Sequence, residues 1–152
     1  MTQRMNATRV SYTLESSLES VNKAEQAARD LAVKTGFDEE EIDRISMAVR
    51  EATVNAVLHG NQYDPKKRVT VVLEATPESL TVAVRDEGKG LDPVGIPDPL
   101  APENLLKQSG RGIFLIRAFM DEVRFRSMDP GTEITLIKRV RGNDPDGKEA
   151  SK

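Results

Sequence analysis

The apolar residues of this chain change their period once, and that change limits the folds open to it. Up to Gly60 they recur every three or four residues; from Arg68 on they alternate in short runs. Leu18, Val21, Ala24, Ala28, Leu31 and Ala32 fall on one face of a helix that Gly36 ends. Ser16, with Glu19 three residues on, has the form of a capping box at its start. A second helix carries Ile42, Ile45, Val49, Ala52 and Ala56 as its apolar stripe and runs to Gly60, a residue suited to a left-handed stop. Asp38 caps it with Glu41 three residues on, Phe37 and Ile42 suit a hydrophobic staple, and Glu39 to Glu41 complement the positive end of its dipole.

The alternating runs come in pairs. Arg68 to Ala75 and Leu80 to Arg85 flank Thr76-Pro77-Glu78-Ser79, and Glu122 to Ser127 and Thr132 to Arg139 flank Asp129-Pro130-Gly131. Turns this short make antiparallel hairpins. Thr8 to Leu14 reads as an edge strand, and Gly110 to Met120 begins with glycines and becomes helical. Between them, Asp92 to Ser109 holds four prolines and reads as a long loop, of a length that is usually functional or disordered. The order β-α-α-β-β-loop-α-β-β predicts an α+β two-layer sandwich: a mixed, mostly antiparallel sheet with helices on one face. Residues 8–140 are expected to form one domain, with 1–7 and 141–152 as flexible tails.

Composition removes several chemistries. The 152 residues contain no cysteine and one histidine, which leaves no thiolate site, no cysteine nucleophile and little for a multi-histidine zinc site or a Ser-His-Asp hydrolase. His59 is best read as a dipole-compatible residue in a last helical turn, not a metal ligand. The net charge of −3, with both signs interspersed, speaks against a nucleic-acid or polybasic membrane surface. No apolar run approaches the ~20 residues of a membrane span, and the first residues lack a signal-peptide core. A cytoplasmic location is expected.

Three stretches carry chemistry. Glu51 and Asn55 stand one turn apart on the second helix, at the edge of its buried face. There a carboxylate and a carboxamide can orient a nucleophile and ligate a hard cation. Arg85-Asp86-Glu87-Gly88-Lys89-Gly90-Leu91 puts an acceptor-only carboxylate at a strand end, beside glycine backbone that a flat ligand can approach. Such a carboxylate can receive an exocyclic amine. Ser109-Gly110-Arg111-Gly112-Ile113 opens a helix, where free N–H groups and the dipole attract anions. It is neither a Walker A loop nor a dinucleotide fingerprint. Taken singly, these are also a solvated helix edge, a turn and a glycine-led helix; their order gives them meaning.

The series of REATVNAVLHG, VRDEGKGLDP and SGRGIFLIRAFMDEV resembles the GHKL ATP-binding fold of gyrase, histidine kinases and MutL. Within it, the chain is similar to the anti-sigma serine kinases of bacterial partner switching, over roughly residues 8–140. The resemblance implies ATP and Mg2+ as cofactors. It makes Asn55 the magnesium ligand, Glu51 the catalytic carboxylate that activates a substrate hydroxyl, and Asp86 the acceptor of the adenine amine. Gly88 and Gly90 would shape the purine pocket, and Asp92 to Ser109 would be a lid. Gly110, Arg111, Gly112 and Ile113 would hold phosphates through backbone N–H groups, Arg111 also being a candidate to stabilise transferring charge. Thr132 matches a threonine that assists adenine recognition. No histidine stands at a phosphoacceptor position. The implied partners are an anti-sigma antagonist of STAS type as substrate, a sigma factor, and a second copy of the chain as a homodimer. The alternative is a regulator that binds ATP only to gate partner binding; a generic α+β domain is the third.

Overall fold

The computed structural model describes residues 7–88 and 112–140. Along the chain these form β1 (Thr8–Glu15), α1 (Leu18–Thr35), α2 (Glu39–Val54), a π-helical turn (Asn55–Gly60), β2 (Arg68–Ala75), β3 (Ser79–Arg85), α3 (Gly112–Phe119), β4 (Glu122–Ser127) and β5 (Thr132–Arg139). The α+β architecture expected from the period change is present. The strand order is β1-β2-β3-β5-β4, with β1 at one edge. Every pairing among these strands is antiparallel. Both hairpins form, and the β3–β5 pairing, Ser79 opposite Arg139 through Arg85 opposite Glu133, joins them into one sheet.

Alternation decides which face is covered. Val69, Val71, Leu73 and Ala75 of β2, Leu80, Val82 and Val84 of β3, and Ile134 and Leu136 of β5 are buried in one core with α1 and α2. The opposite face is mixed: Thr70, Glu74, Thr81, Arg85, Thr135 and Arg139 share it with Val72, Ala83 and Ile137. Ile45 and Val49 of α2 are fully buried, each stabilising by about 1.5–3 kcal/mol. Ile116 and Met120 bring α3 into the same core, against α2. The ammonium of Lys138 reaches under α3 and donates to Phe119 O, 3.1 Å away, at the helix's negative end.

Three local expectations are corrected. The cap of α1 is Ser17, whose hydroxyl accepts from Ser20 N, so the Ser16–Glu19 box does not form. The Ser16 hydroxyl is engaged elsewhere, donating to Lys67 O at 2.6 Å. Leu18, on the expected apolar stripe, is 55% exposed because it sits at the first position of α1, beyond the reach of the sheet. The second helix starts at its Asp38 cap as expected, with Glu41 N donating to Asp38 Oδ1 at 2.8 Å. It changes register at Asn55 instead of continuing as an α-helix, and Gly60 is not a left-handed stop. The left-handed residues are Gln62 and Tyr63, beyond it.

Candidate nucleotide site

The site is built where the end of the second helix meets the end of β3. Through Asn55 the helix keeps its α-register: Asn55 N–H is directed at Glu51 O and Ala52 O. Glu51 and Asn55 therefore share one face, as their spacing requires. Both are half-buried, and among the described residues neither side chain has a hydrogen-bond or ion-pair partner. From Asn55 the hydrogen bonding lengthens by one residue, with Asn61 N donating to Ala56 O at 2.8 Å. Such π-turns are rare and recur at functional sites. Here the turn delivers Gly60 one helical turn beyond Asn55.

Gly60 is glycine because Asp86 occupies the space that a side chain would fill. A Cβ at Gly60 would run into the Asp86 carboxyl carbon and Oδ2. A Cβ at Gly88 would strike Gly60 O, and one at Gly131 would strike Asp86 O. Three glycines, from the π-turn, the loop after β3 and the β4–β5 turn, thus allow the close packing around Asp86: Gly60 against its carboxyl, Gly131 against its backbone carbonyl and Gly88 against Gly60. Gly131 also holds φ +103°, a conformation that side chains strain to adopt.

The carboxylate is fixed by backbone. Asp86 Oδ1 accepts from Gly88 N at 2.9 Å and from Thr132 N at 3.2 Å, while Asp86 N donates to Thr132 O at 3.0 Å. Oδ2 accepts from no described residue. Oδ2 lies against Gly60, in the room that the missing side chain leaves. Burial pushes the Asp86 carboxyl above its ordinary pKa, and the Gly88 and Thr132 amides and the Lys67 charge pull it partly back. A half-buried carboxylate with one oxygen anchored and the other without a protein donor can accept from an exocyclic amine.

The structure therefore brings together Asp86, Gly88 and Thr132, through Gly60, with the helix that carries Glu51 and Asn55. Gly112 and Ile113 open α3, which packs on α2, and their N–H groups lie in its first turn, where they have no intrahelical acceptor. The Ile113 side chain is buried. Gly90, the expected lid from Asp92 to Ser109, Gly110 and Arg111 lie outside the described residues. His59 is exposed in the π-turn, and among the described residues no cluster of His, Cys, Asp and Glu could hold a metal by itself. A magnesium ion bound with nucleotide keeps water and phosphate oxygens and takes one or two protein ligands. Asn55, with its carboxamide oxygen unengaged, fits that demand.

Two further residues that no sequence motif singled out, Asn61 and the side chain of Glu87, support the site. Asn61 is 1% exposed, and its amide links Ser16, Arg68 and Glu87. No local pattern distinguishes it from the polar residues around it.

Comparison with known proteins bears on this geometry. Residues 14–138 match the histidine kinase-like ATPase domain family. The chain is 35% identical over 106 residues to the anti-sigma F factor of Anoxybacillus flavithermus, covering 66% of this chain and 71% of that protein. It is 30% identical over 122 residues to the serine-protein kinase RsbW of Bacillus subtilis, covering 76% of each. A crystal structure of the RsbU and RsbW domains of a Mycobacterium tuberculosis protein superposes with a TM-score of 0.63 at 22% identity, over 87% of this chain and 32% of that one. The histidine kinase domain of an Erythrobacter litoralis blue-light kinase gives 0.52 at 18% identity, over 80% of this chain and 59% of that one. At these identities the two structures establish the fold. Among the described residues no helix is long and apolar enough to cross a membrane.

Proposed function

Since this chain belongs to the histidine kinase-like ATPase family, in the company of anti-sigma F factors and RsbW kinases, we propose that it is an ATP-dependent anti-sigma factor serine/threonine kinase. Its protein substrate is an anti-sigma antagonist, and its second partner is a sigma factor that it holds inactive. Residues 8–140 are the kinase domain, it acts in the cytoplasm, and it works as a homodimer. The observation that carries this reading is the closure of Gly60, Gly88 and Gly131 around Asp86, on the same helix end that presents Glu51 and Asn55.

Each group has a task. Oδ2 of Asp86, which has no donor among the described residues, accepts the adenine amine, while Gly60 and Gly88 let the carboxylate seat against the helix end and Thr132 N holds its other oxygen. The first-turn N–H groups of α3, at Gly112 and Ile113, bind phosphate oxygens, joined by Gly110 and Arg111. Asn55 holds magnesium, which supplies charge neutralisation at the phosphates. Glu51 accepts the proton of the attacking serine or threonine hydroxyl as its oxygen bonds to the γ-phosphorus. The bond from the γ-phosphorus to its bridging oxygen breaks, and ADP leaves. Phosphoryl transfer asks for positioning and charge more than for covalent chemistry, so one proton acceptor suffices.

The test is transfer of labelled γ-phosphate from ATP to a purified STAS-type antagonist. Wild type is expected to label it. Glu51→Gln should lower the transfer rate by roughly 10²–10⁴-fold while leaving ATP affinity unchanged. Labelling by Glu51→Gln at the wild-type rate would remove the proposed role of Glu51. ATP binding without any transfer by wild type would favour a nucleotide-gated binding protein instead.

A further inference from the structure

The β2–β3 ladder ends at Thr70 opposite Arg85. Continued by two residues, that register would set Arg68 opposite Glu87. The two strands do not pair there. The side chain of Asn61 stands between them instead. Its Oδ1 accepts from Glu87 N at 2.7 Å, and its Nδ2 donates to Arg68 O at 3.0 Å. Arg68 N in turn donates to Glu87 Oε1 at 2.7 Å. Asn61, Arg68 and Glu87 thus form a closed ring of three hydrogen bonds that replaces the ladder where the strands part.

The ring has a fixed anchor. Asn61 Nδ2 also donates to Ser16 Oγ at 2.8 Å, and Asn61 N donates to Ala56 O in the π-turn. Every polar atom of the Asn61 side chain is therefore engaged, in a position closed to water. Parting the strands lets Asp86 and Gly88 turn toward Gly60, and the ring then holds the intervening residue, Glu87, at both its N–H and its carboxylate. Asp86 and Gly88 have no such ties to β2 themselves.

Building on the ATP reading of the Asp86 pocket, we infer that Asn61 and Glu87 are positioning residues that set the aim of Asp86, and so the selectivity of the site for an adenine base. Neither residue touches the base; both act through the backbone of the Asp86 loop. Their contribution should be confined to the base end of the nucleotide.

The readout is the ratio of dissociation constants for ATP and for inosine triphosphate, which carries an oxo group where adenine carries its amine. Wild type should prefer ATP by about tenfold or more, the worth of a hydrogen bond to a charged group. Glu87→Ala, on an exposed side chain, removes one ring bond without touching the core. It should weaken ATP about three- to tenfold and leave inosine triphosphate within twofold, while Glu87→Gln, which keeps an acceptor, restores the preference. Asn61→Ala should do more than Glu87→Ala, in the same direction. Equal weakening of both nucleotides, or an unchanged ratio in Glu87→Ala, would overturn the inference and leave the pocket assignment standing. Folded wild type that binds neither nucleotide would overturn the pocket assignment, and this inference with it.

Discussion

The two ends of the site are built in opposite ways. At the end proposed for the base, Asp86 is already held by protein: two backbone amides take one oxygen, three glycines allow the close packing around the residue, and the Asn61 ring ties the residue after it. At the end proposed for the phosphates, Glu51 and Asn55 project from a helix with no side-chain hydrogen-bond or ion-pair partner among the described residues. One end spends its polar groups on structure and leaves a single oxygen without a donor; the other leaves whole side chains without partners among the described residues. The difference follows from what each must meet. A base has a fixed shape and rewards a preformed cradle, whereas phosphates and a cation bring charge that changes during transfer, and open groups can follow it. Substitutions that crowd the packing around Asp86 should therefore change stability and affinity together, and those at Glu51 and Asn55 should spare stability.

The largest effect is expected at Gly131. Gly131→Ala sets a methyl against the Asp86 backbone at a strained φ, and should cost about 3 kcal/mol in chemical denaturation. ATP affinity should fall with it. A stable variant with intact affinity would show that the cradle is not rigid.

Asp86→Asn separates affinity from stability. Losing the charged acceptor should weaken ATP about 10–100-fold, read by titration at pH 7. Stability should hold or rise. With the folded carboxyl above its ordinary pKa, the unfolded chain ionises first as pH increases, so ionisation of Asp86 costs the folded state. That cost is absent below the ordinary value and complete above the raised one. The gain in melting temperature of Asp86→Asn should accordingly appear at neutral pH and vanish toward acid. A variant less stable at pH 7 than at acid pH, relative to wild type, would contradict the burial argument.

The smallest effect is a control. Gly36 also has a positive φ, +106°, but a Cβ there would meet nothing within 4 Å. Gly36→Ala should cost about 1 kcal/mol from backbone conformation alone and leave ATP affinity unchanged. Its contrast with Gly131→Ala measures how much of the latter effect comes from crowding around Asp86.

What the sequence disclosed follows the range of the interactions involved. Glu51 and Asn55 were legible because a four-residue spacing fixes a shared face locally. Asp86 was legible because a strand run ends in an acceptor followed by glycine. Both hairpins were legible from alternation and turn residues, but the β3–β5 pairing between them was not, since nothing near either strand encodes its neighbour. Gly60 was identified as a stop because a glycine after a helix looks alike whether it turns left-handed or yields to a neighbour. Only the arrival of Asp86, 26 residues later, makes the difference. The π-turn leaves no trace in an apolar stripe that ends at Ala56. Asn61 is buried by Ser16, 45 residues before it, and Glu87, 26 after it, so its neighbours in sequence say nothing of its role.

The most direct test of the account is calorimetric titration with ATP and Mg2+, wild type beside Asn55→Ala. The account expects magnesium-dependent binding by wild type, its loss in the variant, and melting temperatures that agree, because Asn55 contributes no side-chain bond to the fold. Equal binding by both proteins would contradict the division of the site into a built end and an open one, as would a variant that loses ATP only because it unfolds.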